Sequence, residues 1–290
     1  MKHRPIAQIF AALSYVFAAG PALADDVIDE IVVTADFRER TAHEMATSVT
    51  VLSGDYIREA AQQHFEELVN AVPNLNWSGD GHRARYFQIR GIGELEQYEG
   101  APNPSVGFLI DDIDFSGIGT VATLFDMESV EVLRGPQGSR YGANALAGLI
   151  YMRSETPSVE RDGRVQVAVG DDDARGIGLA FGGALDDEER LLFRVSGQRF
   201  ESNGFRDNTY LDREDTNGRK ETSLRARLRF DASDDLEVNL ATLYTDIDNG
   251  YDAFALDNGY TMLSDKPGRD AQRSTCLLYT SDAADEVVPV

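Results

Sequence analysis

The chain has 290 residues, of which 42% are hydrophobic and 27% are charged, a composition that excludes disordered and collagen-like proteins. Its formal net charge of −23 at pH 7 argues against binding to the phosphate backbone of nucleic acids. With Cys276 as its single cysteine, the chain can form neither an internal disulfide nor a thiolate metal cluster.

The first 24 residues have the pattern of a secretory signal peptide. Basic residues from Lys2 to Arg4 precede an apolar run over residues 6–19, and an Ala-Leu-Ala sequence ends at Ala24. The apolar run is shorter than the roughly 18 residues that a membrane-spanning helix needs. We therefore expect cleavage after Ala24, with an uncleaved helical anchor as the alternative.

The next segment predicts an arm followed by a small domain. Residues 25–44 are polar except for a β-branched patch at residues 31–34, which favours an extended N-terminal arm. Residues 45–157 mix short helices and strands between loops rich in Gly, Pro and Asn, which predicts an α+β domain. The predicted helices are residues 55–60 and 65–71, the second ended by Pro73, and the predicted strands are residues 49–52, 86–90, 106–110, 129–134 and 149–153.

Two acidic clusters in the chain could suggest chemistry. Period two places Asp112 and Asp114 on one face of a strand and Asp111 on the other, with no nucleophile nearby, so we predict no catalytic pair and no enzyme. Residues 246–250 resemble a calcium loop whose glycine is one position early and whose closing glutamate is missing. We interpret this segment as a solvated extracellular loop, and we expect neither a metal site nor a cofactor.

After Pro157 the helical pattern gives way to alternation with period two. Leu224, Ala226, Leu228 and Phe230 form one apolar face while the intervening arginines take the other, and residues 236–240 repeat the scheme. Similar runs lie at residues 164–169, 176–185 and 191–200. Segments of about ten residues with one apolar face are typical of antiparallel transmembrane β-barrel strands. Alternation alone leaves a soluble β-sandwich equally open.

Four motifs occur in one order along the chain: DEIVVTA at residues 29–35, YFQIRGIG at 86–93, SVGFLIDDI at 105–113, and LFDMESVEVLRGPQGSRYGANALAGLIYMRSETP at 124–157. Together they resemble the plug domain of TonB-dependent outer-membrane receptors. The resemblance implies an α+β plug domain inside a barrel of about 22 strands. The residues that carry the plug signature are Arg90, Gly91, Arg134, Gly135, Pro136, Gly138, Tyr141, Gly142 and Gly148.

The glycines of these motifs do not form a nucleotide site. No Gly-Lys-Ser/Thr follows the glycines between residues 135 and 148, and the pair Gly91 and Gly93 lacks a third glycine that opens a helix. We interpret Gly91 and Gly93 as turn residues that permit a positive φ.

The resemblance also implies function and partners. The protein would be an active transporter in the outer membrane of a Gram-negative bacterium, in contact with membrane lipid, and it would carry a small-molecule ligand such as an iron chelate. A ferric siderophore is the family's commonest solute, and cobalamin, haem and oligosaccharides stay open. The TonB complex of the inner membrane would bind the N-terminal strand, because an unpaired β-branched edge can add to a partner's sheet. That strand consists of Glu30, Ile31, Val32, Val33, Thr34 and Ala35.

Alternatives stay open for several of these assignments. The β-branched patch could instead be an ordinary first strand of the plug. A passive outer-membrane pore or a surface-adhesion barrel with a periplasmic domain is the rival function, and a secreted hydrolase is a third.

Charged residues of the plug motifs suggest further contacts. Arg90 and Arg134 end predicted strands, and the resemblance implies that such arginines meet glutamates of the barrel wall. An ion pair inside the plug, with Glu128 or Glu131 close to Arg134, is the alternative. The ligand-binding candidates lie in two loops that the resemblance turns outward: His82, Arg83, Arg85 and Tyr98.

The predicted barrel is too small for the plug. Residues 158–275 have room for five or six strands, whereas a plug of this size is roughly 35 Å across and an eight-stranded barrel holds little more than its own side chains. We therefore expect a truncated receptor with a partial β-barrel. Residues 276–290 resemble a translated sequencing adapter, and we expect them to be non-native and outside the fold.

Overall fold

The computed structural model describes residues 32–33, 40–41, 47–79, 81–96, 104–233, 235–251, 259–266 and 268–283. The predicted signal peptide, four residues of the predicted TonB-binding strand (Glu30, Ile31, Thr34 and Ala35) and the ligand candidate Tyr98 lie outside this part of the chain. Across the described residues, no helix has the length and apolar character to span a membrane.

The first part of the described chain contains nine strands and two short α-helices. In chain order they are β1 (Val32–Val33), β2 (Arg40–Thr41), β3 (Ser48–Ser53), α1 (Gly54–Ala60), β4 (Leu75–Ser78), β5 (Tyr86–Ile89), β6 (Val106–Ile110), β7 (Ile113–Asp114), β8 (Met127–Arg134), α2 (Gly138–Tyr141) and β9 (Gly148–Ser154). Three 3-10 helices complete the set, at Phe65–Ala71, Gly119–Val121 and Gly142–Asn144. The α+β prediction is therefore confirmed, with the second predicted helix present as a 3-10 helix.

These elements pack around one five-stranded sheet in the order β3-β8-β9-β6-β7, in which β6 and β9 are parallel and the other neighbours are antiparallel. The strands β4 and β5 form a separate hairpin. The main core contains Phe65, Phe87 and Phe108, whose rings lie 5.5 and 5.4 Å apart in succession. This apolar core belongs mainly to one domain, here called the plug, and it also includes Leu243, with Cys276 packed against it, from the later part of the chain.

The second part of the chain forms one antiparallel sheet, here called the wall. Its six strands, β10 (Asp162–Val169), β11 (Arg175–Ala184), β12 (Leu191–Ser202), β15 (Arg219–Ser233), β16 (Leu236–Tyr251) and β18 (Gly268–Ala283), pair in that order. Three short strands, β13 (Arg206–Asn208), β14 (Arg213–Thr216) and β17 (Thr261–Met262), form a small sheet beside it. The prediction of antiparallel strands in an incomplete barrel is confirmed.

In the strand β15 the apolar residues lie on the outside of the wall. Leu224 is 49% exposed and Phe230 is 37% exposed, whereas Arg225, on the opposite face of the same strand, is 6% exposed and covered by the plug. A soluble sandwich would bury the apolar face of the strand, so this orientation argues for the membrane alternative. The alternation predicted from the sequence is confirmed, and the structure decides which face is inside.

Three predictions about local structure were wrong. Asp111 and Asp112 lie in a tight turn between β6 and β7, with φ of 47° and 66°, and not in a continuous strand. Residues 246–250 belong to the paired strand β16, and not to a loop. In the strand β18, pairing with β16 continues through Cys276 to Ala283, so residues 276–283 of the expected tail lie within the fold. Their expected non-native origin stays a prediction, which resequencing of the gene tests.

Candidate functional site

The contact between plug and wall centres on Arg83, a buried arginine of the plug. Its Nε and Nη2 donate to the two carboxylate oxygens of Glu221 in the strand β15, at 2.7 and 2.8 Å. Its Nη1 donates to Glu66 at 2.6 Å and to Glu67 at 3.2 Å. The Arg83 side chain is completely buried, so it depends on these carboxylates to compensate for lost hydration.

The 3-10 helix at Phe65–Ala71 positions the carboxylates of the plug. His64 caps this helix by accepting the Glu66 N–H at Nδ1, 3.3 Å away, and its Nε2 donates to the Thr120 carbonyl at 3.2 Å. Burial and the charge of Arg83 hold the pKa of His64 below its ordinary value. Burial opposes ionisation of Glu66, but His64 when it is protonated, the Arg83 guanidinium and the Ala84 N–H hold the pKa of Glu66 below the ordinary value. Near Arg83, a lowered pKa favours the uncharged form of His64 and the ionised form of Glu66, and neither form places a second positive charge beside the guanidinium.

His82 joins the same plug loop to two wall strands. Its Nδ1 donates to the Gly250 carbonyl at 2.8 Å, and its Nε2 accepts from the Arg219 Nε at 2.9 Å. Its backbone N–H donates to Asp270 at 2.7 Å. Burial, Arg219 and Arg83 lower the pKa of His82, whereas the Gly250 contact raises it. Both ring nitrogens have defined roles only when the imidazole is neutral, because Nε2 must accept a hydrogen bond.

Wall arginines meet the plug at the other end of the interface. Arg194 forms a two-pronged ion pair with Asp126, at 2.8 Å from Nε and 2.6 Å from Nη2. Arg225 donates to the Phe125 and Thr123 carbonyls, both at 2.7 Å, and Arg227 donates to the Ser154 carbonyl at 2.8 Å. These contacts are polar, and an apolar contact accompanies them, because Leu243 of the strand β16 belongs to the same buried cluster as the core of the plug.

Among the described wall strands, no glutamate is bound by Arg90 or Arg134, so their expected pairing with the barrel wall stays a prediction. Arg90 is exposed in the turn that joins Ile89 to Ile92. The Arg134 guanidinium donates to Ser48 Oγ and the Pro73 carbonyl, both at 3.2 Å, and burial together with the neighbouring Arg90 lowers its pKa. The alternative pairing with Glu128 is not formed either, because that carboxylate lies 3.3 Å from Arg153.

The residues that connect the plug to the wall carry little signal in the sequence. Glu221 and Arg194 lie outside the recognised motifs, and Asp126 lies within the motif at residues 124–157 without a feature that marks it as an ion-pair partner. The one usable signal was the inward row of arginines at residues 225 and 227, on the polar face of an otherwise apolar strand.

The ligand-binding candidates differ in how far they are buried in the structure. Arg83 is enclosed by three carboxylates, and this burial argues against contact with a ligand. His82 and Arg85 are half-buried in the same loop, next to the wall. A role of His82, Arg85 or Tyr98 in ligand binding stays a prediction.

Two residues of the predicted TonB-binding strand lie against the plug. Val32 and Val33 pair with Thr41 and Arg40 as a short hairpin. Val33 is completely buried in a second apolar cluster that contains Leu133, Leu149 and Tyr151. Val32 and Val33 are therefore paired, and Val33 is buried. This is compatible with an ordinary plug strand, and also with a TonB-binding strand that is packed against the plug until it is released.

Four glycines of the plug signature adopt positive φ: Gly91 at 78°, Gly135 at 133°, Gly142 at 77° and Gly148 at 159°. Gly91 and Gly93, the latter with φ of 150°, confirm the interpretation as turn residues. A Cβ on Gly93 would lie 2.3 Å from the Phe87 carbonyl oxygen, so the turn needs glycine for space as well as for φ.

Known proteins have similar sequences. A family model for the TonB-dependent Receptor Plug Domain matches residues 41–149. The pesticin receptor of Yersinia pestis is 28% identical over 159 residues, covering 54% of this chain and 23% of that receptor. The ferrioxamine B receptor of Salmonella typhimurium strain SL1344 is 26% identical over 156 residues, covering 53% of this chain and 22% of that receptor. This chain thus aligns with less than a quarter of the length of these relatives.

The fold is also found among solved structures. The ferric yersiniabactin uptake receptor FyuA from Yersinia pestis superposes with a TM-score of 0.74 and 22% sequence identity. The superposition covers 85% of this chain and 40% of that receptor. The likeness therefore extends beyond the plug to the strands of the wall.

Proposed function

We propose, from the premise that this chain carries a TonB-dependent receptor plug domain at residues 41–149, that it is part of an active transporter of the bacterial outer membrane. The solute that the relatives favour is a ferric siderophore. The observation that carries the proposal is a plug domain seated on the inner face of antiparallel strands, where Arg225 and Arg227 bind it, while Leu224 and Phe230 of the same strand are exposed on the outer face. No enzymatic step enters the proposal, since its family consists of transport receptors.

The nature of the interface supports a plug that moves. An apolar contact between plug and wall would cost free energy in proportion to the apolar area exposed on separation, about 25 cal/mol per Å². Many of the contacts here are ion pairs and hydrogen bonds, such as Arg83 with Glu221 and Arg194 with Asp126, and the apolar contact of Leu243 with the plug core accompanies them. Water that enters a lumen can replace the polar contacts, which lowers the free-energy cost of rearranging the plug.

The N-terminal strand is the segment that we propose binds the TonB complex, which would couple the transporter to its energy source. Val32 and Val33 are the described part of the strand that we propose for the TonB complex of the inner membrane. Because Val33 is buried, the hairpin must detach before its edge can pair with a partner strand. The proton-motive force, worth about 2.3 kcal/mol per charge per 100 mV, is the energy source we propose for displacing the plug.

The test is uptake by cells that express the gene from which this chain comes. Deletion of the six residues Glu30, Ile31, Val32, Val33, Thr34 and Ala35 should abolish accumulation of a radiolabelled ferric siderophore while binding at the cell surface persists. Collapse of the proton gradient should have the same effect on the unaltered protein. Uptake that survives both treatments would instead establish a passive pore.

A further inference from the structure

We propose that His82 is an acid-sensitive latch, which holds the plug against the wall while its ring is uncharged and releases it when the ring is protonated. The part of the plug that would be released, here called the latch loop, is residues 81–85, between the strands β4 and β5. The place of the latch in a membrane rests on the proposed function, whereas its response to pH depends only on the contacts of His82.

Three strands of the wall hold the latch loop at His82. The ring bonds to Arg219 in β15 and to the Gly250 carbonyl in β16, and the backbone N–H donates to Asp270 in β18. The residue before it, Gly81, lies so close to β18 that a Cβ there would clash with the Asp270 carboxylate. The loop is therefore fitted closely to the wall, and the His82 ring supplies two of the bonds that keep it there.

The two hydrogen bonds of the His82 ring require its uncharged form. An arginine side chain can only donate, so Nε2 must accept from Arg219 Nε at 2.9 Å, and Nδ1 then donates to the Gly250 carbonyl at 2.8 Å. A protonated imidazole carries hydrogen on both nitrogens. Nε2 would then direct an N–H at the Arg219 guanidinium, and two positive charges would be in contact. Protonation therefore replaces an attractive contact between plug and wall with a repulsive one.

Titratable and charged groups of the plug and the wall surround the latch loop. Besides Arg219 they are His64, Glu66, Glu67, Arg83, Glu221 and Asp270. Each of these carboxylates already accepts a hydrogen bond from Arg83 or from the backbone of His82. Glu221 and the Gly250 carbonyl favour the protonated ring, but burial, Arg219 and Arg83 outweigh them and lower the pKa of His82. A released ring lacks these neighbours and binds protons more readily, so release becomes more favourable as the pH falls below about 6.5.

The latch lies where solvent can supply the proton. Arg219, Gly250 and Asp270 stand at the strand ends that are joined by the longer connections, residues 203–218 and 252–267. Transmembrane barrels have their longer loops on the extracellular side. A cleft of about 780 Å³ at this end is lined by both Arg219 and Gly250, and the His82 ring is half-buried beside them. The latch would therefore follow the pH of the external medium.

The second histidine of the described residues does not join the plug to the wall. The His64 ring bonds to the Glu66 N–H and to the Thr120 carbonyl, both within the plug. Carboxylates ordinarily titrate at about pH 4, well below the histidine range. Between pH 7 and 5, His82 is thus the group at the contact with the wall whose charge we expect to change.

The test is hydrogen–deuterium exchange of the purified full chain in detergent micelles at pH 7 and pH 5, corrected for the intrinsic effect of pH on amide exchange. Exchange of the latch loop should rise about tenfold at pH 5, the effect of one pKa unit between the held and the released ring. The core strands β8 and β9 should stay protected. H82Q should lose the rise, because a glutamine amide can donate to Gly250 and accept from Arg219 without a change of charge.

Two further variants separate the latch from a general effect of acid. R219Q removes the charge that repels the protonated ring, so the rise at pH 5 should be smaller than in the unaltered chain. The matched control H64Q replaces the histidine whose ring bonds lie within the plug, and it should keep the full acid response of the latch loop.

Several outcomes would overturn the latch. These are exchange of the latch loop that does not rise at pH 5, an equal rise in H82Q, and a rise that extends to β8 and β9, which would mean acid unfolding of the whole plug. The proposed function is checked separately by uptake into cells: energy-dependent uptake by a protein without the acid response refutes the latch alone. An acid response that depends on His82, in a protein that supports no such uptake, refutes the transporter and leaves the latch intact.

Discussion

Arg83 of the plug and Glu221 of the wall are joined by two parallel hydrogen bonds, 2.7 and 2.8 Å long, across 138 positions of sequence. Both side chains are buried, so the pair ties the two bodies of the protein together where water does not weaken the interaction.

Removal of Arg83 should destabilise the protein strongly. R83A leaves Glu66, Glu67 and Glu221 without their shared cation, and we expect a loss of about 3–5 kcal/mol in the free energy of unfolding. E221Q should cost less, because Arg83 keeps the other two carboxylates. Denaturant titration measures both changes. The exposed pair of Arg190 with Glu188 is the control, and a cost for R190A similar to that of R83A would contradict this account.

Stability should fall as the pH drops below about 6.5, the ordinary pKa of histidine. His64 and His82 have lowered pKa values in the fold, so the unfolded chain binds protons that the folded chain does not, and stability rises with pH in this window. H82Q should reduce the slope of unfolding free energy against pH between pH 7 and 5. Glu66, with a pKa below 4.5, contributes only to a further loss at lower pH. An unchanged slope in the variant would show that His82 titrates normally.

Replacement of Val33 should release the N-terminal hairpin. V33D places a carboxylate against Leu133, Leu149 and Tyr151, and an unpaired charge cannot remain buried there. We expect faster tryptic cleavage at Arg40, while the core of the plug stays resistant. V159D is the matched control, since Val159 is already exposed. Equal cleavage rates in V33D and the unaltered protein would mean that the hairpin is not held by Val33.

Glycine should be required at residue 148 and dispensable at residue 138. Gly148 has φ of 159°, and a Cβ there would lie 2.3 Å from the Leu133 carbonyl oxygen. G148A should therefore cost at least about 1–3 kcal/mol of stability, because β8 and β9 must separate locally. A Cβ on Gly138 meets nothing within 4 Å, and G138A should change stability by less than about 0.5 kcal/mol. Thermal unfolding of the two variants provides the comparison.

The amino-acid sequence alone determined the two-part organisation of this protein. The spacing of apolar residues in short helices and strands predicted the plug, and period-two alternation from residue 224 predicted the wall. Both patterns can be read from the sequence because they depend on local backbone geometry. The second half of the strand β18 was missed because residues 276–290 were excluded as a tail, although the side chains of the strand alternate in exposure along the pairing with β16.

Only the tertiary structure decided which charges hold the plug to the wall. The period-two pattern of the strand predicts on which face of the sheet Arg225 or Glu221 lies. It does not predict which residues of the plug lie opposite that side chain. Arg83 and Arg90 are only seven residues apart in one segment of the plug, yet one is completely buried against Glu221 and the other is exposed in a turn. The pairing of charges depends on how the plug and the wall are placed against each other, and no local pattern of residues encodes that placement.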